Sequence, residues 1–273
     1  MNTTFWGPSG WKFLHTLTFI YPENPTPTHK LQMRNFMDEL PAILPCKYCR
    51  ASFAKYSKSL PIEPFLNSRE ALIEWLYKMH NKVNKKLRAQ GFCHYDNPPI
   101  EHIYKIYEPH LTSIKNLISS HSTPNKAINY ICNLGYDFLG SIVFNYQGYY
   151  SNCHTSKEKT QIVDVYDKFF NSIIPLICLY LETGSNNIPN FKIRKMLCSN
   201  EPYTKLMNWF YKCDKLATPE VLCNSNFEKY EEHFKKHIAN TCNTPKGEAI
   251  KSCRKYVRNN KKTVKKTVKR KSN

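Results

Sequence analysis

Two cysteines three positions apart, Cys46 and Cys49 in the stretch ILPCKYCRASF (43–53), are the residues best placed to do chemistry. Such a pair serves as half of a tetrahedral zinc site, as a redox dithiol, or as two buried thiols. Zinc needs a second close ligand pair, and no other C-x-x-C occurs in the chain, so no metal site is expected. A thioredoxin-like framework needs a strand before the motif, whereas the residues before Pro45 follow a helical pattern. A reactive pair at a helix start is physically sound, because the positive end of the helix dipole and the unpaired amides stabilise a thiolate. Two inert thiols remain the alternative at this point. The other cysteines, at 93, 132, 153, 178, 198, 213, 223, 242 and 253, are scattered rather than set at ligand spacing.

Polar residues in apolar stripes are the second signal. His15 lies between Trp11 and Thr18 on one helical face, and His80 and Asn84 lie among Trp75, Met79, Val83 and Leu87 on another. Each is expected to be buried, and a buried imidazole or carboxamide left without a partner costs about 1–3 kcal/mol. Three such groups and a tryptophan beside a dithiol fit a flat polar ligand held between helices, and an isoalloxazine ring has that shape.

The elements that position these groups read as helices. Apolar residues recur at helical spacing through SGWKFLHTLTFIYP, with Pro8 and Ser9 as its start signals, and through HKLQMRNFMDELPAIL, which Pro45 breaks. A third helix opens at the dithiol, and a fourth runs through SREALIEWLYKMHNKVNKKL with Ser68 as N-cap. A fifth, shorter one is expected in EHIYKIY. The expected fold class is all-α: a four- or five-helix bundle over 1–110, a second mainly helical domain over 111–253, and a basic disordered tail over 254–273. In the second part, QIVDVYDKFFNSIIPLICLYL and YTKLMNWFYKCDKL read as helices, and FNYQGYYSNCHTS as a loop or short hairpin.

Composition bounds the rest. Only 8 glycines leave too little turn punctuation for an all-β chain or a glycine-rich dinucleotide loop. The longest apolar run, SIIPLICLYL, is half of what a bilayer demands, so no membrane partner is expected. The start lacks a basic n-region, which places folding in a reducing cytosol, where 11 cysteines is a high and odd count. Of the +19 formal charge, residues 254–271 carry ten Lys or Arg and no acid, leaving +9 elsewhere. Contact of that tail with nucleic acid or an anionic surface is one reading, and a solubilising tail without a partner is the other.

WGPSGWKFLHTL, FIYPENPTPTHKLQMRNF, LPCKYC and HNKVNKKL follow one another in an order and spacing that resembles the Erv/ALR family of FAD-linked sulfhydryl oxidases, over about the first 105 residues. The resemblance implies a small helical bundle that holds FAD without a glycine-rich loop. It places Gly7, Trp11 and His15 on the cofactor from the first helix and His80, Asn81, Val83, Asn84 and Lys86 from the fourth. Cys49 is then the flavin-proximal thiol and Cys46 the distal one that meets a substrate. The implied reaction oxidises protein dithiols with O2 as acceptor and yields H2O2, and the family implies a homodimer. The WGPSGW start and the additional C-terminal region resemble members from large DNA viruses. That implies a host cytoplasmic assembly site or the virion as location.

The chain departs from the family in two places: Cys93 has no cysteine between it and Cys49 to complete a structural bridge, and Ala89, beside Arg88, stands where the family often has lysine. Cys213 with Cys223, or Cys242 with Cys253, would be the shuttle pair if one exists. The rival readings are a non-enzymatic helical interaction or nucleic-acid-binding protein with an inert cysteine pair, and an oxidoreductase that uses the same cofactor with another acceptor.

Overall fold

The computed structural model describes residues 2–92, 95–119, 124–149, 156–181, 192–217 and 227–237. Among them it has eleven α-helices, one short 3-10 turn and no strand, the all-α class expected. Helix α1 (Thr3–Phe19) starts earlier than Pro8: the Asn2 side chain accepts the Thr4 N–H at 3.1 Å and caps it. Pro8 therefore sits inside the helix on an exposed position, where the helix lacks one N–H donor. Helix α2 (Pro27–Ile43) is closed by a reciprocal box, in which Thr26 Oγ1 accepts the His29 N–H at 3.3 Å and His29 Nδ1 accepts the Thr26 N–H at 3.1 Å.

Helix α3 (Lys47–Ser59) opens directly after Cys46, and α4 (Arg69–Ala89) opens on Ser68, whose Oγ accepts the Ala71 N–H at 3.1 Å. Helix α5 (Ile100–Ser119) is longer than EHIYKIY and runs through Pro109, so the position expected for a domain boundary, 110/111, falls within it. Then come α6 (Pro124–Leu134), α7 (Tyr136–Tyr149), α8 (Ser156–Tyr180), α9 (Ile193–Leu197), α10 (Pro202–Ala217) and α11 (Phe227–Lys235). Residues 144–149 close α7, which overturns the loop or hairpin expected from FNYQGYYSNCHTS over its first six residues, while 150–155 lie outside the described residues. The tyrosines and glycine of those six do not outweigh the helical context of the apolar run before them. Cys93, Cys153, Cys223, Cys242, Cys253 and the basic tail lie outside the described residues, as does the side chain of Cys213.

Helix α1 is the axis of the fold. From Phe13 to Phe19 every side chain is buried, because α4, α5, α6 and α7 surround that half. The α6–α7 connection comes close enough that a Cβ at Gly135 would lie 2.8 Å from the Phe13 ring, so this approach requires glycine. Helix α2 lies between α3 and α8, where Phe36 stacks on Phe169 at 5.7 Å and the Tyr180 hydroxyl donates to the His29 carbonyl at 3.3 Å. One apolar core runs from Trp6 to Phe234, so residues beyond 110 complete the burial of α1 and α2. None of the described helices is long and apolar enough to cross a membrane.

Candidate active site

The dithiol is made by local structure. Cys46 has extended backbone (φ −133°, ψ 121°) and is itself the N-cap of α3: its Sγ accepts the Cys49 N–H at 3.3 Å. Both side chains are half-buried against the core. The Cys46 thiol is lowered from 9.0 to about 6, first by a hydrogen bond from the Cys49 side chain. Burial opposes this shift, and the backbone amides of Cys49 and Tyr48 reinforce it. Arg50, one turn on, donates Nη1–H to the Leu44 carbonyl at 2.7 Å and so pins the turn that precedes Cys46. Burial lowers the Arg50 value, and the neighbouring Tyr166, Cys46 and Cys49 side chains act the other way.

The histidines come from α1 and α4. His15 is 1% exposed, and its Nε2 lies 3.3 Å from His80 Nδ1, so one ring donates to the other. His80 also stacks on Trp11 at 3.8 Å and 11°. Burial, then the charge of His80, pushes His15 down to about 3, and burial pushes His80 down to about 4. Both rings are neutral at physiological pH. Tyr107 of α5, which the sequence reading did not single out, stacks on His15 at 4.9 Å. Its signal was the apolar spacing from Ile103, too short a pattern to say which helix it meets.

The other expected residues lie on the same two helices. Gly7, Trp11 and His15 are four apart and form one line along α1. The buried face of α4 stops at Met79, and His80, Asn81, Val83, Asn84, Lys86 and Leu87 are all half-buried. This corrects the expectation that His80 and Asn84 are fully buried: the bundle covers α4 only up to that level. Asn84 Nδ2 donates to Asn97 Oδ1 at 3.1 Å, Arg88 Nη1 donates to the same oxygen at 3.0 Å, and Lys86 Nζ donates to Ser52 Oγ of α3 at 2.6 Å. Ser52 and Asn97 are also absent from the sequence reading, and a lone polar residue in a helix or loop gives no sign of such a role.

Trp75 Nε1 donates to the Leu60 carbonyl at 3.0 Å, so α3 and α4 run antiparallel, with Ser52 level with Lys86. Cys49 lies one turn beyond Ser52, about 5 Å further along the axis. The dithiol therefore stands at the same end of the bundle as the half-covered stripe of α4. Across that end, a Cβ at Gly7 would meet nothing within 4 Å, and His15 Nδ1 is buried without a hydrogen-bond partner. A planar group with polar edges between the start of α1 and the end of α4 would cover the stripe and offer that nitrogen a partner, so the residues present fit a flavin.

A second histidine pair, His233 and His237, has the i, i+4 spacing of metal ligands, and the sequence reading passed over it. His237 stacks on Phe5 at 3.8 Å, and His233 Nε2 lies 3.2 Å from Asp137 Oδ1. No group of three or more metal-ligating side chains occurs among the described residues.

A dithiol with a lowered thiol pKa at a helix N-terminus, at the same end of a helical bundle as a half-covered stripe, has the chemistry that thiol–disulfide exchange needs. Residues 8–105 match the model of the Erv1 / Alr family. The chain is 41% identical over 86 residues to the mitochondrial FAD-linked sulfhydryl oxidase ERV1 of Saccharomyces cerevisiae, covering 32% of this chain and 44% of that protein. It is 38% identical over 85 residues to a probable FAD-linked sulfhydryl oxidase of Acanthamoeba polyphaga mimivirus, covering 31% and 59%. Against the FAD-linked sulfhydryl oxidase of African swine fever virus it is 29% identical over 105 residues, covering 38% and 87%. The chain spans about half the length of the first two of these relatives. No solved structure gave a significant match.

Proposed function

We propose that the protein is an FAD-dependent thiol oxidase that makes disulfide bonds in protein substrates. The observation that carries this reading is the Cys46–Cys49 pair at the N-terminus of α3, set at the same end of the bundle as the half-covered α4 stripe and the buried His15 nitrogen. In the reaction, a client thiolate attacks Cys46 Sγ of the oxidised pair, the S–S bond breaks, and Cys49 leaves as the thiolate. A second client thiolate then attacks the client sulfur of the mixed disulfide and releases Cys46. With its value near 6, Cys46 is a good leaving group at neutral pH. The client is oxidised by two electrons and the dithiol is reduced by the same two.

FAD, when bound, supplies the acceptor that takes those electrons from the dithiol and passes them to O2, giving H2O2. Trp11 and His80 offer it a stacked face, His15 a neutral edge, Asn81, Val83 and Asn84 the α4 wall, and Gly7 room for close approach. Lys86 offers a cation, at the expense of its bond to Ser52. The neutral state of both histidines keeps a positive pair out of the site, and their mutual hydrogen bond leaves one of the two outer ring nitrogens as an acceptor and the other as an N–H donor.

Pairing with a second copy, contact of the basic tail with nucleic acid or an anionic surface, and work at a viral assembly site in the host cytoplasm or in the virion complete the proposal. These rest on family resemblance and charge. The test is the visible spectrum and flavin content of the purified protein, together with oxygen consumption on a reduced dithiol. About one FAD per chain and one H2O2 per disulfide are expected. A colourless, folded protein would refute the oxidase reading and favour an inert cysteine pair, while reduction of the flavin without oxygen consumption would point to another acceptor.

A further inference from the structure

Helix α3 carries Lys47, Arg50, Lys55 and Lys58 and no acid. Lys47, Tyr48, Ala51, Lys55 and Lys58 are all exposed, and positions 47, 51, 55 and 58 fall on one side of a helix. None of the three lysines pairs with a carboxylate in the ion pairs found among the described residues. The first acid after the helix, Glu63, is held by Arg34 at 3.2 Å. The stripe starts at the residue next to Cys46 and extends about 16 Å along the axis. Tyr48, 39% exposed between the two cysteines, adds an apolar ring beside its thiol end.

We propose that this lysine stripe is the docking surface for an acidic segment of the protein dithiol client. The proposal rests on the oxidase reading, and it names the client's chemistry. Charge complementarity supplies the recognition: three unopposed cations in a row attract anionic side chains, and the row ends at the sulfur a client must reach. An extended client covers about 16 Å with roughly five residues. The acids therefore lie within about five positions of the client's reactive cysteine, and more distant acids gain little because exposed charges are screened beyond about 8–10 Å. The same row facing phosphates would serve nucleic acid, but its alignment with Cys46 ties it to the thiol partner.

The experiment uses the full chain and three reduced peptides that share a C-x-x-C core, with acidic, amide or lysine flanks of equal length. Dithiothreitol is the uncharged reference. At low ionic strength the acidic peptide should exceed the amide peptide in kcat/KM by about tenfold, and the lysine peptide should fall below it. Lys55→Glu with Lys58→Glu should erase that preference and leave dithiothreitol turnover within about twofold. Lys55→Gln with Lys58→Gln should erase most of it, and 0.5 M salt should do the same to the wild type.

Equal kcat/KM for acidic and amide peptides would overturn the proposal. So would a preference that survives both double variants, which would assign it to the overall positive field of the chain. Competition by an oligonucleotide that depends on Lys55 and Lys58, with no preference among the peptides, would assign the stripe to nucleic acid. Failure to oxidise dithiothreitol would instead defeat the oxidase reading, and this proposal with it. Melting temperatures of the two double variants within about 3 °C of the wild type identify changes that are not due to unfolding.

Discussion

The titration of Cys46 tests the heart of the site. Its value near 6 arises first from the Cys49 side-chain hydrogen bond and then, against burial, from the amides of Cys49 and Tyr48. At pH 7 such a thiol is about nine-tenths thiolate, whereas an ordinary one is only a few per cent ionised. A less basic thiolate is also a weaker nucleophile, so the alkylation rate at pH 7 changes less than this population. The midpoint of the rate–pH curve is therefore the clean readout. In the reduced protein, iodoacetamide labelling of Cys46, followed by mass spectrometry, should titrate near pH 6. Cys49→Ala removes the leading cause and should move the midpoint up, while the helix amides keep it below 9.0. The same shift carries stability. The folded value lies below the unfolded one, so the contribution is full above the unfolded value and is lost as pH falls through about 6. It is on the order of 1 kcal/mol at pH 7 and smaller at pH 6. A Cys46 midpoint near pH 9 in the reduced wild type would refute the reasoning.

His15 and His80 are neutral when folded, with values of about 3 and about 4, so their stabilising effect is present above pH 6.5 and is lost as pH falls below it. Denaturant titrations should show about 2 kcal/mol lost per histidine by pH 5, and a flat profile from pH 8 to 5 would contradict the burial assigned to them. His80→Ala removes the stacking partner of Trp11 and the neighbour of His15, and should lower flavin retention measured after gel filtration. Unchanged flavin content would remove His80 from the cofactor site. Gly135→Ala drives a Cβ to 2.8 Å from Phe13 and should cost about 1–3 kcal/mol, read as a fall in Tm of several degrees. Gly7→Ala, with nothing within 4 Å, should leave Tm unchanged or raise it, so a comparable loss there would refute the contrast drawn between the two glycines.

Local chemistry made part of this structure legible. Pro45 ends one helical pattern and Cys46 can cap the next, so the dithiol had to sit at a helix start. Ser68 was readable as the cap of α4 for the same reason, and His15 as an interior histidine from its neighbours Leu14 and Thr18. Boundaries were less legible. Pro8 looked like a start, yet Asn2 caps α1 because a proline near the first turns is tolerated at an exposed position. Periodicity also says which face of a helix is apolar, not which partner covers it. The Tyr107–His15 stack, the Ser52–Lys86 bond and the Asn97 bridge join segments 34 to 92 positions apart or held by a loop, beyond what a window of sequence reports.

The stripe on α4 shows how that limit bears on function. Its pattern is the same on both sides of Met79, so sequence reads it as one buried face. In the fold, Leu72, Ile73, Trp75, Leu76 and Met79 are covered by protein and the residues from His80 onward only in part. A helix that keeps Val83 and Leu87 in register with its buried half, yet leaves them half-covered, retains apolar surface that a purely structural helix would give up to polar residues. A bound ring that covers this surface explains why the pattern persists beyond the protein's own core. Replacing Val83 by serine should then weaken flavin retention while changing the Tm of the flavin-stripped protein by no more than about 2 °C, because in that form Val83 is only half-buried. Equal losses of Tm in the stripped and flavin-loaded forms would show that the stripe serves the protein core alone.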